Sequence, residues 1–247
     1  KEENIMRLTL EICGENEIIL PIHYNYYLQS FLYNHISPEL SKFLHDKGFA
    51  FEKRRFKMFT FSRLQGRFRI DNGKIKFIPP AYLTISSPLD RFINEMGNSL
   101  LKDNHLELLK NRIFVKSIKV HPDPEFEDEA KVKMLSPVVV YSTLLTGDGK
   151  KKTYYYSPYE KEFTILIDKN LRKKYEALYK KKARARELKM ESVGKPKDRI
   201  VKYRDTIIKG WMGGFLLNGN KKLLKLAYHS GLGSKNSQGF GIFEVER

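Results

Sequence analysis

The sequence predicts an α+β fold that consists of two βαββαβ units in tandem, and three observations support this prediction. Apolar and polar side chains alternate in several short segments, which is typical of half-buried strands. Other segments repeat apolar residues at intervals of three and four, which is typical of amphipathic helices. The order strand, helix, two strands, helix, strand describes the first half and recurs loosely in the second. Because no residue-by-residue repeat relates the halves, the predicted duplication is one of architecture.

The first half supplies one complete unit. Its predicted strands lie at 6–13, 57–64, 67–78 and 113–121, and its predicted helices lie at 24–36, 38–46 and 88–101. In the second of these helices Ser37 is suited to the N-cap position, and Gly48 is suited to end the helix. We expect Leu40, Phe43 and Leu44 to face the core.

The second half repeats the order with less regular spacing. Its predicted strands lie at 113–121, 131–142, 152–156, 198–208, 211–217 and 240–246, and its predicted helices lie at about 159–189 and at 220–229. The strand at 113–121 is counted in both halves. We place the boundary near 110–116, which gives one unit at 1–112 and another at 113–247.

The composition predicts a globular and strongly basic protein. Hydrophobic residues make up 41% of the 247 residues, which excludes a wholly disordered chain. Lys and Arg number 46 against 29 Asp and Glu, and the resulting charge of +17 favours a partner rich in phosphate. No segment approaches the roughly 18 apolar residues of a membrane span, and no secretory segment is visible. A single cysteine, Cys13, cannot build a cysteine-based metal site. Together these observations predict a cytoplasmic chain without membrane contact.

A glycine-rich loop at 231–241 is a candidate for phosphate binding. Its spacing is G-x-G-x₅-G-x-G, with a predicted helix before it and a strand after it, which argues against a dinucleotide-binding fingerprint. Glycines let main-chain amides approach phosphates, and polar side chains add donors. The candidate binding residues are Gly231, Gly233, Ser234, Lys235, Asn236, Gln238, Gly239 and Gly241. The same spacing also fits a helix end that continues into a tight turn.

A second basic feature is the predicted helical segment 171–189, which has a net charge of +7. Such a run is either a solvated helix face or a surface that follows phosphates.

The six histidines show no metal-ligand spacing, so neither a metal nor another cofactor is expected. His45 lies near the end of its predicted helix, off the apolar stripe and beside Ser41 and Lys42. An exposed imidazole among cations is available for proton transfer near neutral pH. Tyr33 is also off the stripe of its helix, on the face of Tyr26, so it is expected to face solvent or a ligand.

Four cations, Lys53, Arg54, Arg55 and Lys57, form a cluster shortly after His45. Metal-free RNA cleavage needs a base for the 2′-hydroxyl, an acid for the leaving 5′-oxygen and a cation or donor for the charged transition state. His, Tyr and Lys side chains can supply these roles.

Several motifs give the chain a resemblance to a known family. They are YNYYLQSFLYNHIS, LSKFLHDKGF and KMFTFSRL near the start, SPVVVYS in the middle and GLGSKNSQGFGIFEVE at the end. On these motifs the chain resembles the CRISPR-associated endoribonucleases that process precursor CRISPR RNA, in the repeat-associated RNA-binding superfamily. The resemblance implies two tandem ferredoxin-like domains with antiparallel sheets. It also implies metal-independent cleavage of repeat RNA that leaves a 5′-hydroxyl and a 2′,3′-cyclic or 3′ phosphate.

By motif position, the resemblance assigns the general acid/base role to His45. Tyr33 matches the tyrosine that some members pair with this histidine, and Lys57 matches the accompanying lysine. The glycine-rich loop then contacts RNA. Another cation of the segment between His45 and Lys57 could replace Lys57, and the candidates are Lys47, Lys53, Arg54 and Arg55. Strand alternation places Lys57 on the apolar face of Phe59 unless it lies at the mouth of the strand.

Two other hypotheses remain open. A non-catalytic subunit of the same fold would bind repeat RNA without turnover. A generic basic protein of RNA or DNA would explain the charge but would leave the glycine-rich loop unexplained. The partner implied by the resemblance is CRISPR repeat RNA, and a homodimer and association with a CRISPR interference complex are both compatible with it.

Overall fold

Two antiparallel sheets, each packed against helices, form the framework of the protein, and the computed structural model describes residues 6–103 and 105–246. The elements of the first part are β1 Arg7–Gly14, β2 Ile18–Pro21, α1 Asn25–Asn34, α2 Pro38–Lys42, β3 Phe49–Phe51, β4 Arg54–Phe56, β5 Thr60–Phe61, β6 Gln65–Asp71, β7 Lys74–Ser86, α3 Asp90–Lys102, β8 Leu106–Leu108 and β9 Asn111–Val120. A π-helical turn, Phe43–Lys47, continues α2.

The second part contains fewer strands and one long hairpin. Its elements are β10 Glu129–Met134, β11 Tyr141–Leu145, β12 Lys151–Tyr155, α4 Lys161–Tyr179, β13 Lys189–Tyr203, β14 Thr206–Asn218, α5 Lys221–Ser230 and β15 Phe243–Val245. A 3-10 turn, Asn236–Gln238, precedes the last strand. The strand predicted at 131–142 is interrupted, because β10 ends before a segment in which only Val138 pairs, with Trp211, as an isolated bridge.

Both sheets have the strand order of a βαββαβ unit. In the first sheet β9 lies beside β1, β1 beside β7 and β7 beside β6. In the second sheet β15 lies beside β10, β10 beside β14 and β14 beside β13. In each unit the fourth strand therefore adjoins the first, and the third separates the first from the second. The predicted α+β fold with two tandem ferredoxin-like units is confirmed.

The position of β9 corrects the predicted division of the chain. It pairs with β1 through Leu8 with Val120 and Leu10 with Ile118, so it is the fourth strand of the first unit and does not begin the second. The two sheets therefore separate within 121–128 and not at residue 112. Alternation of side chains along a segment identifies a strand but does not identify its partner.

Helix α4 is shorter than the predicted helix at 159–189. It ends at Tyr179, because Lys180 has a left-handed backbone with a φ of 56° and donates its N–H to the Glu176 carbonyl. The predicted basic helix is therefore wrong beyond Tyr179, and Lys174, one of its cations, is buried. In the part of the chain that the structure describes, no helix combines the length and apolarity needed to cross a membrane.

A buried arginine joins the two units. Arg7 of β1 is 2% exposed, and its Nη1 donates to the Phe243 carbonyl at 2.7 Å while Nη2 donates to the Tyr228 carbonyl. The guanidinium also lies over the Tyr228 ring, 3.3 Å from its centre. Since a buried charge is tolerated only where its donors are hydrogen-bonded, these contacts fix α5 and β15 against the first sheet.

Candidate functional site

The π-helical turn after α2 determines where the candidate histidine lies. Ser37 caps α2 as predicted, with its Oγ accepting from the Leu40 N–H at 3.4 Å. The turn ends at Gly48, whose N–H donates to the Phe43 carbonyl at 2.7 Å. Gly48 has a φ of 57°, and a Cβ there would lie 2.7 Å from the Phe56 carbonyl oxygen, so glycine is required.

One prediction about the core is wrong. Leu40 and Leu44 are buried as expected, but Phe43 is 37% exposed and packs edge to face on Phe49. Phe43 is the first residue of the π-helical turn, and its ring packs on β3 at the edge of the core instead of inside it.

His45 is held at the surface by its neighbour. Its side chain is 77% exposed, and its Nδ1–H donates to the Asp46 carboxylate at 2.7 Å. This hydrogen bond lowers the pKa of Asp46. It also fixes the ring and leaves Nε2 directed away from the carboxylate, available to a substrate. Within residues 6–103 and 105–246, no three His, Cys, Asp or Glu side chains are grouped so that they could hold a metal ion.

Tyr33 of α1 lies beside this histidine. The ring centres of Tyr33 and His45 are 6.3 Å apart, edge to face, and Tyr33 also packs on Phe59 at 5.5 Å. Burial raises the pKa of Tyr33, so its phenol remains protonated at neutral pH and can donate a hydrogen bond.

The two rings open onto one cavity of about 570 Å³, which we call the histidine cavity. Its lining consists of Tyr26, Gln29, Ser30, Tyr33, Pro38, Ser41, Lys42, His45, Asp46 and Arg204. The predicted faces of Tyr33 and His45 thus meet in one place. Only Arg204 among these lining residues comes from the second unit, at the turn between β13 and β14.

Lys57 touches the histidine backbone but does not line the histidine cavity. Its Nζ donates to the His45 main-chain carbonyl, and burial lowers the pKa of the ammonium group. The strand predicted at 57–64 is reduced to β5, because Met58 has a φ of 57° and turns the chain. Lys57 is therefore outside the strand, and the predicted alternation with Phe59 does not apply to it.

A second cavity of about 560 Å³, which we call the loop cavity, lies between the β3–β4 hairpin, α4 and the glycine-rich loop. The cations that line it are Arg54, Arg55, Lys57, Lys174 and Lys235, and no described aspartate or glutamate is among the lining residues. The predicted cationic cluster is thus divided, because Lys53 is exposed at the hairpin turn and does not line this cavity.

The glycine-rich loop is a closed turn that begins where α5 ends. The side-chain nitrogen of Asn236 donates to two carbonyls across the loop, at 2.9 and 3.0 Å. A Cβ at Gly241, where φ is 82°, would lie 2.0 Å from the Leu232 carbonyl oxygen. A Cβ at Gly233 would lie 2.4 Å from the Val139 carbonyl oxygen. These glycines are therefore required by close backbone approach as well as by conformation.

Helix α1 holds the loop against the first unit. The Asn25 side-chain nitrogen donates to the Gln238 carbonyl at 2.8 Å, and that of Gln29 donates to the Ser237 carbonyl at 2.6 Å. Because Tyr33 belongs to the same helix, one element positions both the loop and the phenol of the histidine cavity.

The side chains of the loop have different surroundings. Ser234, Lys235 and Asn236 line the loop cavity, and the Lys235 Nζ lies 5.2 Å from the centre of the Tyr141 ring. Burial lowers the pKa of Lys235. Gln238 does not line the cavity, and its buried Oε1 has no hydrogen-bond partner among the described residues.

Two residues of the cavities, Arg204 and Lys174, were not predicted from the sequence as site residues. Arg204 offers no signal beyond its place in a hairpin turn. Lys174 was one cation in a basic run, yet it is 3% exposed and its Nζ donates to the Gly231 carbonyl at 2.6 Å. Burial lowers the pKa of Lys174 to about 7.

Both halves of the chain are similar to one family of known proteins. Residues 121–245 match the family described as CRISPR associated protein Cas6, C-terminal, and residues 19–119 match CRISPR-associated protein Cas6, N-terminal. The chain is 33% identical to CRISPR-associated endoribonuclease Cas6 1 of Methanocaldococcus jannaschii, over 96% of this chain and 91% of the relative. It is 31% identical to CRISPR-associated endoribonuclease Cas6 of Pyrococcus furiosus, over 98% and 90%. A solved structure of a CRISPR associated protein Cas6 is 33% identical, with a TM-score of 0.79 over 98% of this chain and 99% of that one.

Proposed function

The chain belongs to the Cas6 family of CRISPR-associated proteins, and we propose that it is an endoribonuclease that cleaves CRISPR repeat RNA within precursor transcripts. The observation that carries the proposal is the histidine cavity, where the exposed imidazole of His45 and the protonated phenol of Tyr33 share one opening. These groups transfer protons without help from a metal ion.

The proposed reaction uses the 2′-hydroxyl of the nucleotide on the 5′ side of the scissile bond. His45 Nε2 takes the proton of this hydroxyl while the 2′-oxygen bonds to phosphorus and the bond from phosphorus to the 5′-oxygen breaks. The Tyr33 hydroxyl gives its proton to the leaving 5′-oxygen, and solvent returns the proton from His45 to Tyr33. The products are a 2′,3′-cyclic phosphate and a 5′-hydroxyl. General acid–base help of this kind contributes roughly 10²–10⁴-fold to a rate.

Lys57 has a supporting role in this proposal. Its ammonium holds the main-chain carbonyl of His45, so it positions the imidazole. Asp46 holds the other side of the residue through Nδ1. A lysine and a carboxylate thus fix the histidine from its backbone and from its ring.

The loop cavity is the proposed contact for the RNA backbone. Arg54, Arg55, Lys57 and Lys235 line it without a described carboxylate, which favours phosphate binding and predicts a strong dependence on salt. Lys174 also lines it but is buried and donates to the Gly231 carbonyl. Arg54, Arg55, Ser234 and Lys235 line it, while Lys53 is exposed outside it at the turn of the β3–β4 hairpin and adds positive charge to the same hairpin. Gly231, Gly233, Gly239 and Gly241 act by shaping the loop, with Asn236 closing it and Gln238 holding it to α1 through its carbonyl.

Single-turnover cleavage of a 5′-labelled repeat RNA, taken from a CRISPR array of the genome that encodes the chain, tests the function. We expect His45→Ala to bind this RNA with unchanged affinity and to lose cleavage. His105→Ala is the matched control, since His105 is exposed and lines neither cavity. Cleavage in EDTA should equal cleavage without it, and a 2′-deoxy substitution at the scissile nucleotide should abolish it.

Other outcomes would favour the alternative hypotheses. Tight binding of repeat RNA by the wild type without cleavage would indicate a non-catalytic RNA-binding subunit. Equal affinity for RNA and for DNA of the same sequence, across a salt series, would indicate a generic nucleic-acid-associated protein.

Three further parts of the proposal need their own tests. They are pairing with a second copy, association with a CRISPR interference complex and a cytoplasmic location. Sedimentation equilibrium with and without repeat RNA measures the first. Co-purification with the other proteins encoded beside the array, and cell fractionation, measure the second and third.

A further inference from the structure

The β13–β14 hairpin extends from the second unit to helix α1 of the first. The hydroxyl of Tyr203, the last residue of β13, hydrogen-bonds to the Gln29 side-chain oxygen. The Tyr203 ring also meets Tyr26 edge to face, with the ring centres 5.9 Å apart. The tip of the hairpin is therefore anchored next to the histidine cavity by two contacts with α1.

Arg204 follows Tyr203 directly and is directed into that cavity. Its φ of 50° places it in the left-handed region at the hairpin turn. Its guanidinium carbon lies 4.5 Å from the centre of the Tyr26 ring, so stacking restrains the side chain. It lines the histidine cavity together with Tyr33 and His45.

The charge of Arg204 is not neutralised by a neighbour. Among residues 6–103 and 105–246, no aspartate or glutamate oxygen lies within 4.0 Å of its guanidinium. Asp46, the carboxylate that lines the same cavity, is engaged by His45. A restrained and unpaired guanidinium offers two parallel donors to a phosphate, which is the geometry that arginine provides better than lysine.

The other cations near His45 are placed less favourably for the phosphate. The Lys57 ammonium donates to the His45 carbonyl and lines the loop cavity instead. Lys42 lines the histidine cavity, but no described aromatic ring or hydrogen bond restrains its flexible stem.

We propose that Arg204 is a catalytic residue, which binds the non-bridging oxygens of the scissile phosphate opposite Tyr33 and His45. It stabilises the charge that develops on these oxygens in the five-coordinate transition state. The active site is then completed by the second unit, and cleavage depends on a residue 159 positions after the histidine in the chain. This inference rests on the proposed endoribonuclease function.

Arg204→Ala tests the inference in single-turnover cleavage with saturating protein. Loss of one transition-state donor costs about 10²–10³-fold in rate, and we expect a decrease of that order. Repeat-RNA affinity should fall by less than about tenfold, since one exposed charge of many is removed. Arg204→Lys should retain part of the rate. Arg199→Ala is the matched control, because Arg199 is an exposed arginine on the same hairpin that does not line the histidine cavity, and it should cleave at the wild-type rate.

A phosphorothioate at the scissile position separates direct contact from a structural role. Replacing the contacted non-bridging oxygen by sulfur should slow the wild type in one diastereomer, and this difference should vanish in Arg204→Ala. A variant that is merely misfolded would be slow with both diastereomers and would keep their ratio, which would overturn the inference.

The two proposals can fail separately. If the wild type does not cleave, the proposed function fails. If the wild type cleaves, His45→Ala does not, and Arg204→Ala keeps the wild-type rate, then only the inference about Arg204 is overturned. In that case a rate loss in Lys42→Ala would identify Lys42 as the phosphate-binding cation.

Discussion

The side chain of Gln29 connects the two units of the molecule. Its nitrogen donates to the Ser237 carbonyl at 2.6 Å, and its oxygen accepts a hydrogen bond from the Tyr203 hydroxyl. The glycine-rich loop and the tip of the β13–β14 hairpin are thereby held by the helix that carries Tyr33. This amide supports the geometry of both cavities, together with the contacts of Asn25 and Tyr26.

Removal of this amide should be costly to stability. Gln29→Ala leaves the Ser237 carbonyl and the Tyr203 hydroxyl without a partner, and we expect a loss of about 1–3 kcal/mol in the free energy of unfolding, measured in urea. Ser30→Ala, at the adjacent exposed position, should change stability by less than about 0.5 kcal/mol. Equal effects of the two substitutions would contradict the connecting role of Gln29.

Gly241→Ala should disrupt the glycine-rich loop. The added Cβ would lie 2.0 Å from the Leu232 carbonyl oxygen at a φ of 82°, so we expect a loss of more than about 2 kcal/mol, together with weaker binding of repeat RNA. Gly149→Ala separates the two causes, because Gly149 has a φ of 76° but no atom within 4 Å of the added Cβ. It should cost about 1 kcal/mol and leave RNA binding unchanged. Thermal unfolding and a filter-binding assay measure both effects.

Lys174 should make stability depend on pH. Burial lowers its pKa to about 7 in the folded protein, whereas an unfolded lysine has a pKa near 10.4. Between these values only the unfolded state binds the proton, so the free energy of unfolding rises with pH, by at most about 1.4 kcal/mol per pH unit. Below about pH 7 both states bind the proton and this dependence disappears.

The comparison that isolates this effect is wild type against Lys174→Met in urea at pH 7, 8 and 9. The wild type should gain stability relative to the variant as the pH rises. Lys169→Met, at an exposed position of the same helix, should show a constant difference from the wild type. A constant difference for Lys174→Met as well would mean that Lys174 keeps its proton throughout this range.

Tyr33→Phe should slow cleavage without weakening RNA binding. The phenol donates a proton in the proposed reaction, so its loss should reduce the single-turnover rate by about 10²-fold or more. Because burial raises the pKa of Tyr33, the wild-type rate should not decline near pH 10, where an ordinary tyrosine ionises. Tyr159→Phe, at a residue 66% exposed, is the control. A decline near pH 10 that is absent from Tyr33→Phe would show that the phenol ionises normally.

Local patterns in the sequence were sufficient for much of the fold. Ser37 caps the start of α2, and the π-helical turn that follows α2 ends at Gly48. Each of these features depends only on residues within about one turn of it, so the sequence predicts both. The positions of Tyr33 and His45 off the apolar stripes predicted that each faces solvent or a ligand, and the family resemblance predicted that they act as a pair; their rings lie close together. Their roles in catalysis remain predictions.

The remaining features depend on contacts that no local pattern contains. Whether β9 pairs with β1 or with the second sheet is decided by residues about a hundred positions away. The π-helical turn, the left-handed Met58 and the end of α4 at Lys180 are backbone conformations that periodicity and capping patterns do not predict. Arg204 joins the histidine cavity only because a long hairpin crosses between units.

The buried guanidinium of Arg7 has a consequence for the order in which the parts of the protein fold. The ribosome synthesises this residue long before Tyr228 and Phe243, whose carbonyls accept hydrogen bonds from it. Until those residues emerge, the Arg7 guanidinium lacks these two acceptors, so this contact between the units forms only when synthesis is nearly complete. We therefore expect α5 and β15 to dock on the first sheet among the last steps of folding during synthesis.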